Sequence, residues 1–280
     1  MKEANMIPKI IHYVWIGDAP KNELLLRCIE SWKKYLPDYE IKEWGNSQID
    51  GIDIPYVRQA LEHRKWAFAS DYMRLYALHR YGGFYFDSDL EVTADIEPFR
   101  EHDFVAGFEE YQGNRYPMSA FIGAVPNNAI IGDLLAEYAS LSLVDRNGNL
   151  DLTANTKRMT LYYARRFGLK KPYKTDEPTA LDSYSFIYPV HYFCTPAPHK
   201  KNFTIHHFNG SWLDGYARRN VLNMSGYTLC VFKDRKKANR SLPLTYNESL
   251  AMMLPLGFDL RLALLRRSSP GNLLKCADHI

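Results

Sequence analysis

The sequence lacks any apolar run of about 18 residues, the length that a membrane-spanning helix requires, so no such helix is predicted. Residues 1–6 are polar and lack the apolar segment of a secretory signal peptide. Cysteine is scarce, and the four cysteines are scattered without the spacing of a metal site: Cys28, Cys194, Cys230 and Cys276. We interpret them as buried or incidental thiols of a reducing compartment, and we predict a cytoplasmic protein.

Internal repeats, low-complexity segments and a large net charge are also missing. The chain of 280 residues has a net charge of +3, and this charge is unevenly distributed. Residues 233–280 hold nine basic and four acidic side chains, whereas the rest of the chain holds 26 basic and 28 acidic ones. A nearly neutral body argues against nucleic acid as the main partner. We predict one domain over residues 1–240 and a basic amphipathic tail over residues 241–280.

The tail combines leucines with arginines, and Pro255 interrupts it, so residues 246–275 are predicted to form two short helices. Packing of these helices against the main domain is one interpretation. The other is peripheral contact with the inner face of a membrane, because basic amphipathic elements bind anionic surfaces. The sequence leaves both interpretations open.

Hydrophobic periodicity predicts a mixture of strands and helices. Strands are predicted at residues 9–15, 39–44, 84–86, 104–108, 120–125, 185–188 and 203–207. Helices are predicted at residues 21–35, 66–81, 128–141 and 155–167. Gly82 and Gly83 should end the second helix, since glycine readily adopts the left-handed conformation at a helix C-terminus. The opening order of strand, helix and strand is typical of an α/β sheet.

Two carboxylates follow a strand of three aromatic residues. Asp87 and Asp89, separated by Ser88, come directly after Phe86. In an α/β sheet, ligands bind at the carboxyl ends of the strands, and carboxylate oxygens suit Mg²⁺ or Mn²⁺. The pair alone is weak evidence for a metal site, because two acidic residues in a solvated loop are common.

Asp71 and Arg74 are three residues apart on the predicted helix and therefore share one face of it. A surface ion pair, worth less than about 1 kcal/mol, is the ordinary interpretation of such a pair. Here the helix is otherwise apolar and leads directly into the turn with Asp87 and Asp89. That position favours a role for both residues in the same site.

Residues 69–89 closely resemble the sugar-binding DXD region of a glycosyltransferase family. This family includes fungal initiating α-mannosyltransferases, α-1,4-galactosyltransferases and bacterial capsular-polysaccharide transferases. The resemblance extends to residues 7–12 with Trp15 and to residues 205–212. It implies a GT-A type α/β fold, in which helices flank a Rossmann-like sheet that binds a nucleotide sugar.

The same resemblance implies an activity. A retaining transferase would move a hexose from a nucleotide-diphosphate sugar onto a saccharide acceptor, with Mn²⁺ or Mg²⁺ as cofactor. UDP-hexose is preferred over GDP-mannose as the donor. The acceptor would be a saccharide or lipid-linked saccharide of bacterial surface polysaccharide synthesis.

The resemblance also assigns roles to the charged residues. Asp71 would hydrogen-bond the hydroxyls of the donor sugar, and Arg74 would support the sugar or Asp71. Asp89 would coordinate the metal directly, whereas Asp87 would reach the ribose, the sugar or, through water, the metal. All four are predicted catalytic residues, and Asp87 and Asp89 are predicted metal ligands.

A histidine is expected to complete the metal site. His207 is predicted as the third ligand because it ends an apolar strand and precedes Phe208 and Gly210, a pattern that resembles related metal-dependent transferases. His206, its neighbour on the opposite strand face, stays open as the alternative. The resemblance further implies four donor-binding residues: Trp15, Tyr85, Ser211 and Trp212.

Two other classes of function fit parts of the pattern. A phosphatase with Asp87 as nucleophile would also place this residue after a buried strand, but Leu90-Glu91 stands where that class requires a Gly or Thr. A catalytically silent protein that binds a nucleotide sugar is the second class. The acceptor side is the least defined, because Asp176 and Glu177 stand where relatives carry a Thr-Gly-Pro segment.

Overall fold

The structure is a computed structural model that describes residues 6–111, 114–173, 176–208, 219–224, 227–233, 248–255 and 260–267. The chain forms two compact units, Met1–His206 and His207–Ile280. The division at His206 comes earlier than the boundary after residue 240 that we predicted from the charge distribution. Within the described ranges, no helix is long and apolar enough to cross a membrane.

The first unit is built on a mixed sheet. Its strands are β1 (Ile10–Val14), β2 (Glu40–Trp44), β3 (Gly83–Phe86), β4 (Leu90–Val92), β5 (Phe104–Tyr111), β6 (Asn114–Ala124), β7 (Thr179–Ala180), β8 (Ser185–Tyr188) and β9 (Thr204–His206). Seven of these form one sheet in the order β2-β1-β3-β6-β5-β8-β7, and β4 pairs with β9 separately. β1 runs parallel to β2 and β3. β6 runs antiparallel to both β3 and β5, so β3 and β5 point in the same direction.

Helices accompany this sheet. They are α1 (Glu23–Tyr35), α2 (Asn46–Ile49), α3 (Pro55–Glu62), α4 (Trp66–Tyr81), α5 (Ala129–Tyr138), α6 (Asn155–Phe167), α7 (Val190–Phe193) and a 3-10 helix (Glu97–Glu101). α4 packs against β1, β3, α3 and α5, and most of its side chains are buried. The predicted α/β class is therefore confirmed. The predicted strands and helices of this unit occur within about three residues of their expected ends, except that β6 begins six residues earlier than the predicted strand at residues 120–125. α1 begins at Glu23 because the side chain of Asn22 caps it, accepting a hydrogen bond from the Leu25 amide at 2.8 Å.

The turn from α4 into β3 depends on its two glycines. Gly82 and Gly83 have φ angles of +64° and +95°, which L side chains rarely adopt. The Gly82 amide donates to the Leu78 carbonyl at 2.9 Å and closes the last turn of the helix. A Cβ atom on Gly83 would lie 2.6 Å from the Ile10 carbonyl oxygen. This turn therefore ends the helix as predicted and fixes where β3 begins.

His12 connects β1 to this turn from inside the protein. Its side chain is completely buried. Trp44 Nε1 donates to His12 Nδ1 at 3.1 Å, and His12 Nε2 lies 2.8 Å from the Gly82 carbonyl oxygen. Because Nδ1 accepts, the proton of the neutral ring is on Nε2 and is donated to that carbonyl. Burial lowers the pKa of His12 from 6.5 to about 4.

We expect His12 to make the stability of the protein depend on pH. The unfolded chain binds a proton near pH 6.5 and the folded chain only near pH 4. The stabilising effect of neutral His12 is therefore complete above pH 6.5 and is lost as the pH falls through about 4. The loss amounts to about 3 kcal/mol, since each pKa unit corresponds to about 1.4 kcal/mol. Urea unfolding of the wild type and His12→Gln between about pH 7 and about pH 4.5 measures it.

Subtracting the two pH profiles removes the contribution of the other titrating groups. The wild type should lose more stability than His12→Gln, and the exposed His63→Gln variant should behave like the wild type. Parallel profiles for the wild type and His12→Gln would contradict the assignment of His12 as a buried neutral group.

The described part of the second unit is a four-stranded antiparallel sheet. Its strands are β10 (Arg219–Met224), β11 (Tyr227–Lys233), β12 (Glu248–Pro255) and β13 (Leu260–Arg267), in the order β10-β11-β13-β12. The prediction of two short helices in the tail is therefore wrong. Leu260, Leu262 and Leu264 alternate with other residues at the two-residue period of a strand. Pro255 ends β12 instead of separating two helices.

Candidate active site

The two predicted metal-binding carboxylates lie in a tight turn at the end of β3. All four residues of that strand are buried. The Asp87 amide donates to the Ala120 carbonyl at 2.9 Å, and the Leu90 amide donates to the Asp87 carbonyl at 3.0 Å. Asp89 is 9 % exposed, and the Asp87 side chain is 25 % exposed. The turn therefore holds both carboxylates at the carboxyl edge of the sheet.

A buried histidine completes a group of potential metal ligands in this turn. β4 begins directly after Asp89 and pairs with β9, with Leu90 opposite His206. His206 Nε2 lies 3.5 Å from Asp89 Oδ1. The possible ligand atoms of Asp87, Asp89 and His206 all lie within 4.8 Å of one another. Burial lowers the pKa of His206, but the Asp89 carboxylate outweighs this effect and raises it well above its usual value.

This donor set fits a divalent metal ion. Two carboxylates and one imidazole are hard and borderline donors, and the imidazole favours Mn²⁺ over Mg²⁺. Among the described residues, the group of potential ligands contains His206 and not His207, the third ligand that we predicted. This group includes His206, the alternative that the sequence left open, and the role of His207 stays a prediction.

Arg74 links three parts of the fold at this site. Its Nη2 donates to Asp71 Oδ1 at 2.7 Å, and its Nη1 donates to the Ser119 carbonyl of β6 at 2.8 Å. The same Nη1 lies 3.3 Å from Asp87 Oδ1, and the guanidinium carbon lies 4.6 Å from the centre of the Tyr85 ring. Arg74 is 4 % and Asp71 is 8 % exposed, which excludes an ordinary surface ion pair.

Burial shifts the pKa values of Asp71, Arg74 and Tyr85 and so affects which of them are protonated. It raises the pKa of Asp71 to about 7, although Arg74 acts in the opposite direction. Burial also opposes the charge on Arg74, but Asp87, Tyr85 and Asp71 raise the pKa of the guanidinium above its usual value, so Arg74 stays charged. The Tyr85 hydroxyl donates to Asp87 Oδ1 at 2.8 Å, and burial raises its pKa well above the usual value. Tyr85 therefore stays a hydrogen-bond donor to the first carboxylate.

The remaining predicted donor-binding residues are described only in part. Trp15 directly follows β1, is half-buried and donates from Nε1 to the Ala19 carbonyl at 3.0 Å. Because β1 and β3 are parallel, Trp15 and Asp87 leave the sheet at the same edge. Ser211 and Trp212 lie outside the described residues.

On the predicted acceptor side, the structure describes two acidic residues. Asp176 and Glu177 are exposed, and Asp176 Oδ1 lies 3.4 Å from Lys200 Nζ. This contact is a solvated ion pair of the kind that contributes little to stability. The role of both residues toward an acceptor stays a prediction.

Sequence reasoning missed two contributions to this site. Glu109 of β5 is only 8 % exposed, and burial raises its pKa to about 7, with His206 and Arg74 acting to lower it and Asp87 and Asp89 to raise it. The available sequence signal was the position of Glu109, a charged residue directly after the apolar run at residues 104–108. Ser119 contributes its backbone carbonyl, and residue type carries no information about such a contact.

Comparison with known proteins points to the same region. Residues 22–106 match the family described as "Glycosyltransferase sugar-binding region containing DXD motif". This range contains Asp71, Arg74, Asp87 and Asp89, and the match supports a glycosyltransferase. A search of curated proteins finds no significant match.

Several solved structures are similar to this chain. "PaToxG Glycosyltransferase" is 22 % identical with a TM-score of 0.47, over 58 % of this chain and 71 % of that one. A transferase mutant with two cysteine-to-serine replacements is 10 % identical with a TM-score of 0.39, over 61 % of this chain and 88 % of that one. The ligand-free glycosyltransferase domain from the YGT toxin is 12 % identical with a TM-score of 0.36, over 60 % of this chain and 70 % of that one.

Proposed function

We propose that this chain is a metal-dependent glycosyltransferase that moves a hexose from a nucleotide-diphosphate sugar onto a saccharide acceptor. The observation that carries the proposal is the convergence of Asp87, Asp89 and His206 beside the buried pair of Asp71 and Arg74. Four of these five residues lie inside the range that matches the glycosyltransferase sugar-binding region.

The charge balance of the site supports a bound cation. Among the described residues, four carboxyl groups belong to the site: Asp71, Asp87, Asp89 and Glu109. They interact with the Arg74 guanidinium, the His206 imidazole and, at Asp71, the guanidinium of Arg158, which is itself paired with Asp151. Buried charge is costly unless it is paired or coordinates a metal, and the acidic groups are in excess. A divalent cation next to Asp87 and Asp89 would compensate that excess.

The protein side chains would bind the donor and hold it in place. When bound, the metal supplies positive charge that neutralises the diphosphate leaving group. Asp71 would hydrogen-bond hydroxyls of the donor sugar, and such charge-assisted hydrogen bonds are stronger than neutral ones. Arg74 and Tyr85 would keep Asp71 and Asp87 in fixed positions before the donor arrives. Groups that are already oriented need no reorganisation during the reaction.

The donor and acceptor are the finer part of the proposal. UDP-hexose is the donor that we favour, with GDP-mannose as the alternative, and Trp15 is the residue that we assign to the nucleobase. Retention of the anomeric configuration, and an acceptor that belongs to bacterial surface polysaccharide, rest on the family resemblance of residues 69–89.

Donor hydrolysis tests this function directly. The purified chain is incubated with Mn²⁺ and, in separate reactions, UDP-galactose, UDP-glucose, UDP-N-acetylhexosamines or GDP-mannose, and the release of UDP or GDP is measured. We expect one donor to be cleaved slowly in water and faster with saccharide acceptors, and EDTA to stop the release. Mn²⁺-dependent binding of a donor without any cleavage would favour the silent binding protein. Failure to bind every donor would contradict the proposed site.

A further inference from the structure

The sheet topology brings Glu109 to the edge that holds the metal-binding turn. β3 and β5 both pair antiparallel with β6 and point in the same direction. Asp87 follows the carboxyl end of β3, and Glu109 lies in the last part of β5, opposite Tyr116. The two carboxyl groups therefore occupy the same edge of the sheet, separated by one strand, although they are 22 residues apart in sequence.

The face of β5 that carries Glu109 is the face on which the His206 segment packs. Gly107 and Glu109 are two residues apart on the strand and share one face. A Cβ atom on Gly107 would lie 3.2 Å from the Phe193 ring. The residue after Phe193, Cys194, accepts a hydrogen bond from the His206 amide at 2.9 Å. The chain that supports His206 thus lies directly on the Glu109 side of the sheet.

The electrostatics of Glu109 agree with this placement. Burial has the largest effect on the Glu109 carboxyl and raises its pKa. His206 has the second largest effect and lowers that pKa. The next residue, Glu110, differs in every respect: it is exposed, and its Oε2 accepts a hydrogen bond from Arg115 Nε at 2.7 Å. A buried acid is costly to keep without a function or a partner, whereas Glu110 is an ordinary surface acid.

We propose that Glu109 is a positioning residue that orients His206 toward Asp87 and Asp89 and thereby sets the affinity of the site for its metal ion. The inference rests on the proposed metal-dependent function. Histidines that bind metals usually interact with a second carboxylate or carbonyl, which fixes the ring and increases its basicity. Asp89, at 3.5 Å from His206 Nε2, is itself a predicted ligand, whereas Glu109 is a buried acid that interacts with His206 and is not a predicted ligand.

Direct binding of Mn²⁺ tests the inference without any donor or acceptor. Free Mn²⁺ is measured by electron paramagnetic resonance during titration of the wild type, Glu109→Gln and Glu110→Gln. We expect Glu109→Gln to bind Mn²⁺ about 10- to 100-fold more weakly, the usual effect of losing such a supporting group. Glu110→Gln is the matched control on the opposite side of the same strand, and it should bind like the wild type.

The stability of the metal-free variants distinguishes a positioning role of Glu109 from a structural one. Glutamine keeps the shape of Glu109 and removes a buried acid, so Glu109→Gln should unfold at the same urea concentration as the wild type or at a higher one. Glu109→Asp keeps the charge and should recover part of the lost Mn²⁺ affinity.

The outcomes distinguish this inference from the function on which it rests. Wild-type Mn²⁺ affinity in a folded Glu109→Gln variant, or in Glu109→Leu if the glutamine variant fails to fold, would overturn the role of Glu109 alone, provided that Glu110→Gln binds equally. No Mn²⁺ binding by the wild type would overturn the metal site itself and this inference with it.

Discussion

Asp89→Asn should reduce donor hydrolysis by more than about 100-fold, because even groups that only support a metal ligand contribute about 10- to 100-fold. Asparagine has nearly the same shape but no negative charge, so the loss reports on the charge of Asp89 rather than on packing. The Asp89 side chain lies 3.5 Å from His206 Nε2 and within the same group of potential ligands as Asp87. Removing its charge therefore weakens both the metal site and the contact with the histidine.

The control for this variant is the same substitution at an aspartate that has no proposed role in the site. Asp38 is exposed in the turn between α1 and β2, and Asp38→Asn should keep full activity. The rate of UDP or GDP release at saturating Mn²⁺ is the measurement, with Mn²⁺ affinity measured in parallel. Hydrolysis by Asp89→Asn within a few-fold of the wild type would mean that the carboxylate at residue 89 does not hold the metal.

Arg74→Met should destabilise the folded state by about 3–5 kcal/mol, the range found when one partner of a buried ion pair is removed. The guanidinium is bound to Asp71 at 2.7 Å and to the Ser119 carbonyl at 2.8 Å, and it lies 3.3 Å from Asp87 Oδ1. Methionine fills similar space but leaves these acceptors without their donor. Urea unfolding of the metal-free protein measures the change.

Arg80→Met is the matched control for this variant. Arg80 lies on the same helix, six residues later, and is exposed. Its free energy of unfolding should stay close to that of the wild type, as surface substitutions usually change stability little. Adding Asp71→Asn to Arg74→Met should recover part of the loss, because one uncompensated carboxylate is then gone. Equal stability of the Arg74→Met and Arg80→Met variants would contradict the buried network.

Local sequence signals were sufficient for most elements of the first unit. α4 and α6 occur at the predicted residues 66–81 and 155–167, because their apolar residues recur at helical spacing and glycine follows each of them. The tail shows where such signals fail. Over a short window, the spacing of apolar residues in its leucine-rich segments fits both a helix and a strand. β13 becomes a strand because it pairs with both β11 and β12. Strand pairing of that kind overrides local preference.

The sequence by itself determined the parts of the site that are local. Asp71 and Arg74 share a face because they are three residues apart on one helix, and Asp87 and Asp89 sit at a sheet edge because they directly follow a buried strand. Only the tertiary structure placed His206 beside Asp89, through the pairing of β4 with β9. It also decided that Ser119 and Glu109 join the site. The physical reason is that strand pairing brings together residues far apart in the chain, and no local pattern encodes which strands become neighbours.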